Sequence, residues 1–411
     1  MARWGDGDGV GALSRRQLLT TAALGSGALV LGGLRPVLGQ SASEPFRFGL
    51  IKALTGRAAS AYAPFYVGPR IAVDEINAAG GILGRKVEIV DADDEGVPTK
   101  DPSLVKSLQE SKIDILLGPM GTGNSLSALS VTTPERLIAA MGSWGSDVSD
   151  PKTYPYHFSF VYNDRVASAM TVDFVTKRLP GKKVAIIQDS FPYGAAVTKS
   201  ASAGFADKGL PVTGVEVFPN NTPDVKSNMR ALQRTGADVL VLAITLPTNV
   251  ALVFNALRGI GWYPTMLGYS ALMSDALLDM LPAEALERVY TTYSKAFSYT
   301  DAEKPAAMQV AHVEKLLKYP ETKGQEANAA ICPFYDAAHV FKWAIERAQS
   351  TDSDKLKVTL ESLTAYPGMV GTLNITPENH CAVGPDAMAW CKISSARDPR
   401  ANGAFRERLV G

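Results

Sequence analysis

Along almost the whole chain, short runs of β-branched and apolar residues alternate with stretches of helical periodicity, and partway along the alternation starts again. FRFGLIKAL (46–54) reads as a strand. Residues 65–77 carry Val67, Ile71 and Ile76 at helical spacing and stop at Gly80-Gly81. KVEIVDAD (86–93) follows as a strand. A helix then opens with Asp101 as N-cap and Pro102 at its first position, where a missing N–H costs nothing. IDILLGPM (113–120), a helix from Asn124 and RLIAAMG (136–142) continue the series. After YPYHFSFVYNDR (154–165) the pattern repeats through KKVAIIQD, a helix from Tyr193 to Lys208, LPVTGVEVF, a helix capped by Thr222-Pro223-Asp224, ADVLVLAI, a helix to Gly259 and a strand near Met266-Leu267. Repeated βαβ units imply parallel sheets covered on both faces, so the fold class is α/β with two lobes in tandem. Ligands of such sheets sit beyond the carboxyl ends of the strands. Five such ends are visible, at residues 118–125, 141–146, 189–193, 245–248 and 268–271.

The ends of the chain bound where it works. Ser14-Arg15-Arg16-Gln17-Leu18-Leu19 is a twin-arginine pattern, followed by a weakly apolar run from Leu18 to Leu34 that holds four glycines. That run falls short of the ~20 strongly apolar residues of a spanning helix. Val37-Leu38-Gly39 offers a cleavage site, so residues 1–39 read as an export signal of the twin-arginine type and the remainder as periplasmic. Removing the four arginines and two aspartates of residues 1–39 from 41 basic and 41 acidic residues leaves 37 against 39. This near-neutrality carries no nucleic-acid footprint. Of the three cysteines, Cys381 and Cys391 lie near the C-terminus and are the candidate disulfide of an oxidising compartment, with Cys332 left as a buried thiol. His380 beside Cys381 lacks the paired close spacings of a metal site, and His157, His312 and His339 are scattered. No metal and no cofactor are expected.

The run ILLGPMGTGNS (115–125) is the most informative of the loops. It has no Gly-Lys-Ser/Thr and no cation, which excludes a Walker loop. Leu126 stands where a dinucleotide fingerprint needs its third glycine. What remains is a helix N-terminus whose N–H groups and hydroxyls, from Thr122 and Ser125, suit something small and anionic. Catalysis finds little support. Gly268-Tyr269-Ser270-Ala271 begins like a nucleophile elbow, but Leu272 replaces the last glycine. No histidine stands at a strand end to serve as base, and no enzyme is expected.

FGLIKALTGRAASAY, IAVDEINAAGGILGRKVEIVDADDEG, ILLGPMGTGNS, KKVAIIQDSFPYG and ENH near residue 380, in that order, resemble the type I periplasmic solute-binding proteins of branched-chain amino acid transport systems, the leucine/isoleucine/valine-binding group. The likeness covers residues 46–395. It implies two Rossmann-like lobes joined by three hinge crossings, near Phe160, Ser294 and Asn374. The first lobe is then residues 40–160 and 295–374, and the second 161–294 and 375–411. It also implies a monomer that closes over one small molecule and presents it to an inner-membrane ABC permease. The alternative is a ligand-sensing module that works with a separate signalling partner.

The resemblance implies the site residue by residue. Thr122, with Gly121 before it, falls on the family's hydroxyl that holds the ligand carboxylate at a helix N-terminus. The second loop, usually Ser-Pro-Ala/Ser-Ala-Thr, here reads Ser143-Trp144-Gly145, with glycine for the threonine and a bulky ring before it. Tyr193 keeps the second-lobe aromatic, Thr245 replaces a tyrosine, and Tyr62 adds flat surface. The acidic partner of the ligand ammonium falls on or beside Ser270. Breaking a buried ion pair costs roughly 3–5 kcal/mol, against about 8 kcal/mol for a micromolar ligand. Unless Asp189, Asp147 or Asp275 substitutes, an α-amino acid is a poor fit, and an apolar or aromatic carboxylate or amide competes with it.

Overall fold

Central strands in both halves are built largely of apolar residues and are buried along most of their length. The structure, a computed structural model, describes residues 44–56, 58–319, 329, 332–399 and 403–410. The export signal read in residues 1–39 lies outside them. β1 (Phe46–Lys52), β2 (Val87–Asp93), β3 (Ile115–Met120), β4 (Ala139–Gly142) and β5 (His157–Phe158) form a wholly parallel sheet in the order β2-β1-β3-β4-β5. A second sheet takes β6 (Val184–Asp189), β7 (Gly214–Phe218), β8 (Val239–Ala243), β9 (Thr265–Gly268) and β10 (Val289–Ser294). After the short strands β11 (Ser298–Tyr299), β12 (Tyr366–Pro367) and β13 (Thr372–Leu373), the chain returns to lay β14 (Met388–Lys392) antiparallel on β10. A final strand, β15 (Arg406–Glu407), pairs with β11, and β12 pairs with β13.

The second sheet runs β7-β6-β8-β9-β10-β14. Its first five strands therefore repeat the 2-1-3-4-5 order of the first sheet, and the two lobes are copies of one topology. That order reverses direction between its first and third strands, which places a binding crevice at the end of β1 and β3 in one lobe and of β6 and β8 in the other. Burial follows the composition. β3, β6 and β8 are buried at every residue, as strands covered on both faces must be. The edge strand β7 alternates, leaving Val215 and Val217 exposed.

Helices α1 (Ala59–Tyr62), α2 (Gly68–Ala78), α3 (Asp101–Glu110) and α4 (Thr122–Thr132) belong with the first sheet. With the second go α5 (Asp164–Arg178), α6 (Pro192–Asp207), α7 (Lys226–Arg234), α8 (Pro247–Ile260) and α9 (Ala283–Leu286). The later helices α10 (Ala307–Leu316), α11 (Cys332–Ala348) and α12 (Ser353–Leu360) return to the first lobe, where α11 packs on α2. Asp74 and Glu75 of α2 fasten them. Glu75 accepts from Lys315 Nζ at 2.6 Å and Tyr335 Oη at 2.7 Å and meets His339 Nε2 at 3.1 Å, while Tyr319 Oη donates to Asp74 at 2.7 Å. Burial works against the Glu75 charge, but these hydrogen bonds outweigh it and hold the carboxyl down to about 2.

Two sequence expectations are corrected here. Asp101 is the first residue of α3 rather than its cap, and its carboxyl turns inward to Asn124 at 3.0 Å. Cys381 and Cys391 form no disulfide, and all three cysteines are free and buried. The reason is topological. Cys381 pairs with Ser159 of the first crossing and donates to Val161 O at 3.3 Å, whereas Cys391 lies on β14 opposite Thr291 of β10. The two are not on facing strands, so no hairpin exists for a disulfide to staple. Denatured, unreduced protein should therefore titrate three thiols per chain with a chromogenic disulfide reagent; one thiol would restore the Cys381–Cys391 bond.

Candidate functional site

The β3–α4 turn needs its glycine. Gly121 sits at φ 98°, and a Cβ there would lie 3.3 Å from Tyr62 Oη. α4 begins directly after it with no side-chain cap, so the first N–H groups of the helix are left for an acceptor of negative charge. Thr122, the first helical residue, is buried, and its Oγ1 accepts from Ser143 Oγ at 3.3 Å. Ser143 Oγ in turn accepts the Gly145 N–H at 3.2 Å. The two loops are in contact: a Cβ on Gly145 would fall 2.8 Å from Thr122 Cγ2. Glycine at 145 is what lets the second loop close on the first.

Trp144 stands at the centre of a run of rings that crosses from one lobe to the other. It meets Phe65 edge-on at 5.8 Å, Tyr62 at 6.4 Å and Tyr193 of the second lobe at 6.0 Å. Tyr193 continues to Tyr269 at 6.3 Å, and Tyr269 to Trp390 at 6.4 Å. Behind Trp144 lies a small apolar cavity of about 40 Å³, to which Phe65, Phe160, Met273, Val370 and Met388 contribute walls. Its polar lining is Tyr162, Ser270 and Ser294. Ser294 is committed, because its Oγ donates to Val370 O at 2.8 Å.

Of the sequence-chosen residues, Tyr62, Gly121, Thr122, Ser143, Trp144, Gly145 and Tyr193 gather around this ring cluster. Ser270 joins them from the second lobe as part of the cavity wall, and its N–H donates to Tyr162 Oη at 3.2 Å. Thr245 is engaged elsewhere: its N–H and Oγ1 both donate to Asp189, at 2.7 and 3.1 Å. Asp189 also accepts from Asn249 Nδ2 at 3.0 Å and is fully buried, which pushes its carboxyl above the usual range. Its role is to pin the β8–α8 loop to the end of β6. Asp147 is exposed, and Asp275 accepts from Arg406 Nη2 at 2.8 Å. Sequence reasoning missed Phe65, Tyr162 and Met273. The signal for Tyr162 was an aromatic directly before Asn163, which caps α5 through the Val166 N–H.

Beneath the anion-facing turn, Asn124 donates to both Asp94, at 3.1 Å, and Asp101, at 3.0 Å. Burial and then mutual repulsion push the Asp101 carboxyl well up, so the pair keeps one proton and carries one negative charge rather than two below the α4 N-terminus. Among the described residues no cluster of His, Cys, Asp and Glu is placed to hold a metal, and no helix is long and apolar enough to cross a membrane.

With the geometry in place, comparison with known proteins is specific about kinship. A family model described as periplasmic binding protein matches residues 45–397. The Leu/Ile/Val-binding protein homolog 3 of Brucella melitensis is 26% identical over 305 residues, 74% of this chain and 79% of that protein. A branched-chain amino acid transporter substrate binding protein of Streptococcus pneumoniae, solved in complex with isoleucine, superposes with a TM-score of 0.71 at 19% identity, covering 89% of this chain and 99% of that one. A solute binding protein of an ABC transporter from Rhodopseudomonas palustris, solved with 3,4-dihydroxy benzoic acid, also reaches 0.71, at 20% identity over 85% and 93%.

Two outcomes check the site geometry. Gly145→Ala should lower stability by about 1–3 kcal/mol through overpacking against Thr122, read as a lower melting temperature. The Asp94/Asp101 pair binds a proton more tightly folded than unfolded, so its contribution is fully present below the ordinary aspartate pKa and is lost as pH rises above it. Chemical denaturation should show lower stability at pH 8 than at pH 5 from this pair, and Asp101→Asn should shrink the difference.

Proposed function

The chain belongs to the periplasmic binding protein family, in its branched-chain amino acid-binding class, and from that premise we propose that its ligand is a small apolar or aromatic carboxylate or amide. Members of the family are not enzymes; they bind small molecules in the periplasm and work with ABC permeases. The observation that carries the reading is the environment of Ser270. Where an amino acid needs an acid for its ammonium, this chain presents an apolar cavity walled by Trp144, Phe65 and Met273. The three acids that could have substituted are taken up by Thr245 and Asn249, held by Arg406, or exposed. An ammonium buried there would lack a partner at a cost of roughly 3–5 kcal/mol. The uncapped N-terminus of α4, with Thr122 against the Ser143-Trp144-Gly145 loop, suits a carboxylate. A neighbour of this fold that takes an aromatic acid supports the same class.

In this reading Tyr62, Gly121, Thr122, Ser143, Trp144 and Gly145 meet the ligand from the first lobe and Tyr193 and Ser270 from the second. The lobes are bounded as the sequence suggests and turn on the crossings near Phe160, Ser294 and Asn374. Closure follows from contacts the ligand makes with the second lobe only in the closed form. Export by the twin-arginine route and action as a monomer complete the proposal.

A thermal-shift screen of the exported chain against leucine, isoleucine and valine on one side, and benzoate-type and branched aliphatic acids and amides on the other, tests it. At a hundredfold excess over its dissociation constant a true ligand adds about 2.7 kcal/mol. Stabilisation by the second set, abolished by Trp144→Ala, is the expected result. Stabilisation by the amino acids alone would overturn it.

A further inference from the structure

The polar atoms beside Ser270 have a polarity of their own. Tyr162 lies on the first crossing, is 5% exposed and lines the cavity with Trp144. Its phenol oxygen accepts twice, from Thr292 Oγ1 at 2.9 Å and from the Ser270 N–H at 3.2 Å. With its lone pairs engaged, what Tyr162 has left to offer is its proton. Tyr193 stands across Trp144 and is 1% exposed, and its hydroxyl faces the Tyr162 phenol without a hydrogen bond of ordinary length among the described residues. A buried phenol is ordinarily bonded, so this one is a donor and acceptor held ready. Burial raises both phenols, Tyr162 to about 12, so each keeps its proton across the physiological range.

Resting on the reading of the site given above, we propose that Tyr162 and Tyr193 donate together to one oxygen atom of the ligand, at the end remote from Thr122. The solute is therefore an acid or amide that carries a second, uncharged oxygen, a ring hydroxyl or a carbonyl, rather than a plain hydrocarbon acid. The Tyr162 proton opposes an ammonium, which brings only donors, because the Tyr162 oxygen already accepts twice. A second carboxylate is excluded as well, because no lysine, arginine or histidine is among the residues lining the cavity. Phenol donors in an apolar wall discriminate strongly, since an analogue lacking the oxygen leaves both hydroxyls buried without a partner.

The test is isothermal titration calorimetry of the exported chain with 4-hydroxybenzoate and 4-methylbenzoate, which match in size and differ in that oxygen. The wild type should bind the hydroxy acid at least about tenfold more tightly. In Tyr162→Phe and Tyr193→Phe that ratio should fall to within about threefold, and an unchanged circular-dichroism spectrum with a cooperative thermal transition shows that the variants fold. Equal affinity of the two acids for the wild type, or a preference that survives both substitutions, overturns the proposal while leaving the class of ligand intact. Binding of leucine with neither benzoate overturns the class and the proposal together.

Discussion

Both sheets bury both faces, and the rest of the molecule follows from that constraint. A strand covered on two sides cannot carry polar chemistry along its length, so hydroxyls, acids and helix N-termini are displaced to the carboxyl ends. Because the second lobe repeats the strand order of the first, each lobe supplies an equivalent crevice. Thr122 at the end of β3 and Tyr193 after β6 are answers to the same geometric opportunity. The antiparallel β14 completes the second sheet through the β10 ladder, and the Glu75 cluster fastens α10 and α11 to α2 of the first lobe.

Within the crevice, polarity is arranged from one end to the other. The first lobe contributes N–H groups and the Thr122 hydroxyl, with the Asp94/Asp101 pair half-neutralised beneath them. Trp144 and its neighbouring rings form the apolar middle. The second lobe ends the site with phenols rather than with an acid. Replacing a carboxylate by hydroxyls at that end changes which solutes can be desolvated there, since an ammonium demands an acceptor of full charge and a hydroxyl or carbonyl does not.

Much of the fold was legible in the sequence because periodicity reports burial. Continuous apolar runs such as VLVLA marked strands covered on both faces, while which strand forms the edge came only from the structure. The sequence also singled out Gly121, Thr122 and the Ser143-Trp144-Gly145 turn, and the structure brings those two loops into contact. That Thr245 gives its N–H and hydroxyl to Asp189, 56 residues away in the chain, was not legible in the sequence. The Cys381–Cys391 pair was misjudged because ten residues of spacing say nothing about which strand each cysteine faces. Tyr162 was passed over because its importance comes from Thr292, 130 residues on.

Local sequence by itself determined the element types, the parallel character of most of the two sheets, the glycine turn that opens α4 and the serine rather than an acid at position 270. Those properties depend on residues close in the chain, where spacing and side-chain chemistry act directly. Only the tertiary structure decided that Asp189 is spent on a loop, that the cysteines stay apart, that Gly145 fits against Thr122 and that two phenols converge beside Trp144. Each of those is a contact between distant segments. Its energy comes from desolvation and hydrogen-bond pairing that exist only once those distant segments are folded against each other.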